Sequence, residues 1–141
     1  MRPVKTYGTG AKVILSVEDD DAAFLLMQLG FKDVGGDFRL YRALDGEQAL
    51  AFLERAGEYR DAPKPDLVLL NLNLPRLRGD EVLTAIKADP ALSGISTVVF
   101  SSSHLDRDRA RCLALGARDF ITKPTDLDDF LRVLHQVCQL V

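Results

Sequence analysis

Short apolar runs that each end in a polar residue constrain this chain more than any other feature of it. Val13-Ile14-Leu15-Ser16-Val17 runs into Glu18-Asp19, and Leu67-Val68-Leu69-Leu70 ends on Asn71. Thr97-Val98-Val99-Phe100 ends on Ser101, and Phe120-Ile121-Thr122 ends on Lys123-Pro124. Such runs are too short for helices and suit buried strands. Helix-like segments separate them, which implies βαβ crossovers and a parallel sheet. In a sheet of that kind the carboxyl ends of the strands share one edge, and ligands bind in the crevice there. Glu18, Asp19, Ser101 and Lys123 should therefore converge on Asn71. An aspartate at 71 would let this set accept a phosphoryl group. An amide does not.

The full pattern is five strands alternating with five helices in one α/β domain. The strands are expected at residues 12–17, 38–44, 66–70, 96–100 and 119–122. The first helix should start at Asp20 or Asp21 and stop at Gly30. The second should follow the Asp45-Gly46 turn and cover 47–56. The third should run over 80–88, because the residue before Pro90 disfavours helix. The fourth, 106–115, has Gly116 placed as its C-terminal cap. The last has the cleanest periodicity: Leu127, Phe130, Leu131, Leu134, Val137, Cys138 and Val141 fall at helical spacing. Thr125 or Asp126 can cap it, and Asp128 and Asp129 suit the positive end of its dipole. Residues 1–11 read as an N-terminal extension and 12–141 as the domain, with no output domain expected after it.

Composition removes several classes. A length of 141 residues suits one domain, and a net charge of −3 argues against a nucleic-acid-binding surface, which usually carries a basic excess. No apolar run approaches the roughly 20 residues a membrane span needs, and residues 1–12 lack the apolar core of a signal peptide. Cys112 and Cys138 have no metal-ligand spacing and read as reduced structural thiols. The expected location is the cytoplasm. His104 and His135 lack partners at telling spacings and read as surface residues.

Residues 12–140 resemble the receiver domain of bacterial two-component response regulators. Val-Glu-Asp-Asp at 17–20, Leu-Asn-Leu-Pro at 72–75 and Ile-Thr-Lys-Pro at 121–124 carry the resemblance, in order and on the right elements. The implied fold is the doubly wound, flavodoxin-like sheet of five parallel strands. A narrower similarity, to the small regulators that partner bacterial phytochrome kinases, rests on Phe52-Leu-Glu-Arg, on Tyr59-Arg-Asp-Ala-Pro-Lys-Pro-Asp66 and on Ile86-Lys-Ala-Asp-Pro-Ala-Leu92. The resemblance implies a signalling module rather than an enzyme. Its partner would be a histidine kinase, and the narrower similarity implies a bacterial phytochrome.

The family's roles carry over residue by residue. Glu18 and Asp19 match the acids that hold Mg²⁺, with the side chain at 71 and the backbone carbonyl of Asn73 as further ligands. Lys123 matches the lysine that pairs with the phosphoryl oxygens. Ser101 matches the switching hydroxyl, and Phe120 the aromatic that follows it inward. The Lys123–Pro124 bond is expected to be cis. Phe24 and Met27, left over on a nearly all-apolar first helix, match the kinase-facing surface that the resemblance implies, with burial in the core as the other reading. A homodimer is expected through the fourth helix, fifth strand and fifth helix, where Val133 and Leu140 add apolar surface.

Asn71 departs from the pattern, because its amide is neutral and a poor nucleophile. With Glu18, Asp19 and Lys123 it leaves a local charge of −1, where an aspartate would leave −2. One unit charge at about 4 Å is worth roughly 4 kcal/mol of raw attraction at an effective dielectric of 20. Mg²⁺ binding should therefore be weaker than in an intact receiver. One alternative is a phosphoaccepting receiver whose aspartate was changed to asparagine. A haloacid-dehalogenase-type phosphatase using Asp19 fits Asp21 but not Ala23, and a dinucleotide-binding protein would need a Gly-rich loop where Glu18-Asp19-Asp20-Asp21 stands.

Overall fold

The computed structural model describes residues 12–35 and 38–141 together with the backbone of Lys5–Tyr7. The described elements are β1 (Lys5–Tyr7), β2 (Lys12–Val17), α1 (Asp21–Val34), β3 (Phe38–Ala43), α2 (Gly46–Glu54), a single 3-10 turn (Gly57–Tyr59), β4 (Leu67–Leu70), α3 (Gly79–Ala88), β5 (Ser96–Ser101), α4 (Asp106–Ala114), β6 (Asp119–Thr122) and α5 (Leu127–Cys138).

The strands form one sheet in the order β1-β3-β2-β4-β5-β6. From β3 to β6 every pairing is parallel, so the five expected strands assemble as expected. The sixth strand, β1, pairs antiparallel with β3 at the edge. It comes from the segment read as a mere extension. A three-residue strand with no apolar run gives periodicity nothing to detect, and pairing with an open edge supplies its conformation.

Alternation along the strands splits the core in two. Leu67 and Leu69 join Ile14, Val98 and Phe100 under α1 and α5, with Phe31, Leu134 and Val137. Val68 and Leu70 join Leu15, Val17 and Val99 on the opposite face, under α2 and α3, with Phe52, Leu83 and Ile86. Helices on both faces place a topological switch between β2 and β4, which sit side by side although β3 lies between them in sequence. The crevice at their carboxyl ends is where Glu18 and Asn71 emerge.

Gly30 does not stop α1. The helix continues to Val34 and ends on Gly35, which takes the left-handed conformation with φ 72°. A Cβ at Gly30 would lie 2.1 Å from Cδ1 of Leu134, so this glycine serves close packing of α1 on α5. Asp20 is the N-cap, accepting from the Ala22 and Ala23 amides. Asp126 caps α5 through the Asp128 amide. Gly116 closes α4 as expected: it takes positive φ (106°) just past Leu115, its amide donates to the Leu113 carbonyl and the Ala117 amide to the Cys112 carbonyl.

Candidate functional site

The pocket is built from strand ends held by backbone bonds. The Glu18 amide donates to the Ala43 carbonyl at 3.0 Å and the Asn71 amide to the Val17 carbonyl at 3.1 Å, extending the ladders past β2 and β4. The Lys123 amide does the same from β6, reaching the Ser101 carbonyl at 2.7 Å. Gly79 lets α3 begin directly beneath Asn71: a Cβ there would meet the Asn71 carbonyl oxygen at 2.2 Å.

Glu18 is fully buried, and both its oxygens are engaged. Oε1 accepts from Lys123 Nζ at 2.5 Å. Oε2 accepts from the Asn71 side-chain amide at 3.0 Å and from the Asp20 backbone amide at 3.2 Å. A buried carboxylate is costly unless paired and hydrogen-bonded, and this one is both. Asp19 lies exposed at the rim. Lys123 sits with its ammonium 5.9 Å from the centre of the Phe100 ring.

Asn71, half-buried, contacts three of the expected partners through one nitrogen. Nδ2 donates to Glu18 Oε2 at 3.0 Å, to Asp19 Oδ1 at 3.4 Å and to the Asn73 carbonyl at 3.5 Å. Glu18, Asp19, Asn71, Asn73 and Lys123 are thus brought together as the sequence suggested. The amide bonds to the acids rather than accepting from Lys123. Magnesium takes oxygen ligands at short distance. Two carboxylates and the Asn73 carbonyl suit it, but the Asn71 group directed at them is a hydrogen-bond donor. This set fits the ion only with the amide turned over.

Ser101 is fully buried at the end of β5, and its hydroxyl accepts from the Ser103 amide at 3.2 Å. Phe120 is already inside, 3% exposed, beside Val99 and Cys112. The loop between them is tied down. Ser103 Oγ donates to Asp108 at 2.6 Å, Thr122 Oγ1 donates to the Ser103 carbonyl at 2.9 Å, and Arg109 donates to the Phe120 carbonyl at 2.7 Å.

Two expectations are corrected. All peptide bonds among the described residues are trans, including Lys123–Pro124. Trans is the intrinsically favoured isomer even before proline, and Lys123 reaches Glu18 from it. Phe24 and Met27 are core residues, 4% and 2% exposed, packed with Ile14 and Phe31. Leu25 and Leu29 are the exposed large apolar residues of α1, at 54% and 51%. On a helix that is apolar nearly all round, composition does not say which stripe faces the sheet.

Arg42 was not singled out from sequence. Its Nε donates to the Glu18 carbonyl at 2.9 Å, its Nη1 lies 2.8 Å from Asp21, and its guanidinium stacks 4.8 Å from the centre of the Phe24 ring. It clamps the acid-bearing turn. A charged residue next to Ala43 at the end of a buried strand was the available signal.

Comparison with known proteins agrees with this fold. The response regulator receiver domain matches residues 14–135. In sequence the chain is 40% identical over 126 residues to response regulator Rcp1 of Synechocystis sp., covering 89% of this chain and 86% of the relative. Among solved structures, the Mn(2+)-bound form of Rcp1 aligns with a TM-score of 0.84, covering 89% and 91% of the two chains. The phosphorylated cyanobacterial phytochrome response regulator RcpA aligns with a TM-score of 0.85 at 36% identity, covering 89% and 90%.

Proposed function

The chain belongs to the response regulator receiver domain family, and on that premise we propose that it serves phytochrome-linked two-component signalling through one fixed receiver surface rather than an aspartyl-phosphate cycle. The observation that carries this reading is the Asn71 amide, whose nitrogen donates to Glu18 and Asp19 where a nucleophilic carboxylate is required. An amide nitrogen has no free lone pair to attack phosphorus, and its neutral oxygen would form no stable acyl phosphate. Phosphoryl transfer depends on a positioned nucleophile, and the surrounding charges do not replace it.

The partner is a histidine kinase, which the exposed Leu25 and Leu29 of α1 would meet. Mg²⁺, when bound, would supply charge neutralisation between Glu18, Asp19, Asn71 and the Asn73 carbonyl, more weakly than in a receiver with aspartate at 71. A homodimer would form through α4, β6 and α5, where Leu105, Leu113 and Leu127 are exposed. These assignments are tested by ¹H–¹⁵N spectra with acetyl phosphate and Mg²⁺. Signals from α4 and β6 should stay unchanged in this chain and shift in Asn71→Asp. A shift in the unaltered chain would overturn the one-state reading.

A second reading has its own support. Glu18, Asp19, Ser101 and Lys123 keep the residue types of the receiver pattern, so a single exchange of aspartate for asparagine accounts for the whole departure. Codon 71 of the gene decides between the two.

A further inference from the structure

We propose that the Asn71 carboxamide is a built-in substitute for the divalent cation, its NH2 group bridging the oxygens that would ligate the metal so that the acid pocket assembles without one. The inference rests on reading Asn71 as a residue that does not accept phosphoryl. Its basis is that three acceptors from two separate turns of the chain converge on one nitrogen. Glu18 and Asp19 come from the turn after β2, and the Asn73 carbonyl comes from the turn after β4, at 3.0, 3.4 and 3.5 Å. The amide has two protons, so the shortest contacts take one each and the third is a weaker, shared contact.

The acids themselves fix which way the amide faces. Turned the other way, its oxygen would stand about 3 Å from Glu18 Oε2 with no proton between them, an acceptor against a buried anion. A divalent cation reverses that preference, because it needs oxygens from every side. A half-turn about the terminal side-chain bond exchanges nitrogen for oxygen with almost no change of shape. The group therefore has two positions: nitrogen inward, in place of the metal, and oxygen inward, as its ligand. Lys123 and the Asp20 amide hold Glu18 in place in either case, since they bond to it independently of Asn71.

Cation entry must break the amide's bonds first, so occupancy and amide orientation are mutually exclusive. The site is ordered without metal, and its affinity for Mg²⁺ falls below that of Asn71→Asp for two reasons: the missing charge and the competing donor.

The test is NMR on the full ¹⁵N-labelled chain, with the Asn71 side-chain NH2 assigned by its loss in Asn71→Asp. In excess EDTA its two protons should be distinct and slow to exchange with solvent, unlike those of the exposed Asn73. Added Mg²⁺ should move this NH2 pair together with the Glu18 and Asp19 backbone amides, at concentrations at least about tenfold above those that saturate Asn71→Asp. An NH2 that exchanges as fast as that of Asn73 in EDTA would overturn the proposal. So would Mg²⁺ saturation at equal concentrations in the two proteins. Asn71→Ala gives a second readout: without the bridging donor it should melt below the unaltered chain in EDTA, and equal melting would contradict the proposal. If that variant does not fold, the spectra of the unaltered chain still decide. Phosphoryl labelling of the unaltered chain would overturn the proposed function and leave these spectra as they are.

Discussion

Replacing Asn71 by aspartate is expected to destabilise the metal-free protein, and the structure bounds by how much. The substituted oxygen would take the place of a donor 3.0 Å from Glu18 and 3.4 Å from Asp19. At an effective dielectric of 20, each like-charge pair at that range costs about 5 kcal/mol before solvent screening. Asp19 is exposed, so its share is heavily screened. Protonation sets a ceiling, because a carboxyl strained beyond about three pKa units would simply stay neutral near pH 7, which caps the loss at about 4 kcal/mol. The expected deficit is about 2–4 kcal/mol, or roughly 6–14 °C in melting temperature for a domain of this size. The new carboxyl's pKa would be raised in the folded state. The folded variant then holds more protons than the unfolded one in that window, stability falls as pH rises, and the deficit is largest near pH 7 and shrinks toward pH 4. Thermal melts by circular dichroism, in EDTA and in Mg²⁺, measure this directly. Excess Mg²⁺ should recover most of the loss in the variant and do little for the unaltered chain. Equal melting of the two proteins in EDTA near pH 7 would refute the electrostatic reasoning.

Three further outcomes are expected. Lys123→Met leaves the buried Glu18 with only the Asn71 and Asp20 donors. Urea denaturation should show a loss of about 2–4 kcal/mol. Burial pushes the Asp80 carboxyl up, but the hydrogen bond from Arg111, the charges of Arg78 and Arg111 and the Glu81 amide outweigh it and hold its pKa below the usual value. That contribution is present at neutral pH and lost as pH falls through the lowered pKa, so Arg111→Ala should flatten the acid limb of the stability profile. Sedimentation at micromolar concentration should show a dimer that Leu113→Asp dissociates; a monomer there removes support for the α4–β6–α5 interface.

What could be read from sequence followed the strands. Runs such as Leu67-Val68-Leu69-Leu70 are buried on both faces, and a parallel sheet forces their polar successors onto one edge, so Glu18, Asp19, Asn71, Ser101 and Lys123 were legible together. What resisted reading depended on tertiary contacts. Gly30 looked like a helix stop, but its role is set by Leu134 more than a hundred residues away. Leu25 and Leu29 were indistinguishable from Phe24 and Met27, because all but Gln28 on the stretch 22–29 of α1 is apolar. Lys5–Tyr7 is a strand only because the β3 edge pairs with it. The orientation of the Asn71 amide follows from where three acceptors lie, and Arg42 reaches the Glu18 carbonyl from a neighbouring strand. Sequence spacing carries neither.

The most direct test is covalent labelling. The unaltered chain and Asn71→Asp are incubated with acetyl phosphate and Mg²⁺, and intact masses are measured with and without the metal. The expected result is no added phosphoryl group on the unaltered chain and one on Asn71→Asp, dependent on Mg²⁺. A stable, acid-labile phosphoryl group on the unaltered chain would contradict the account and point to another acceptor, Asp19 first.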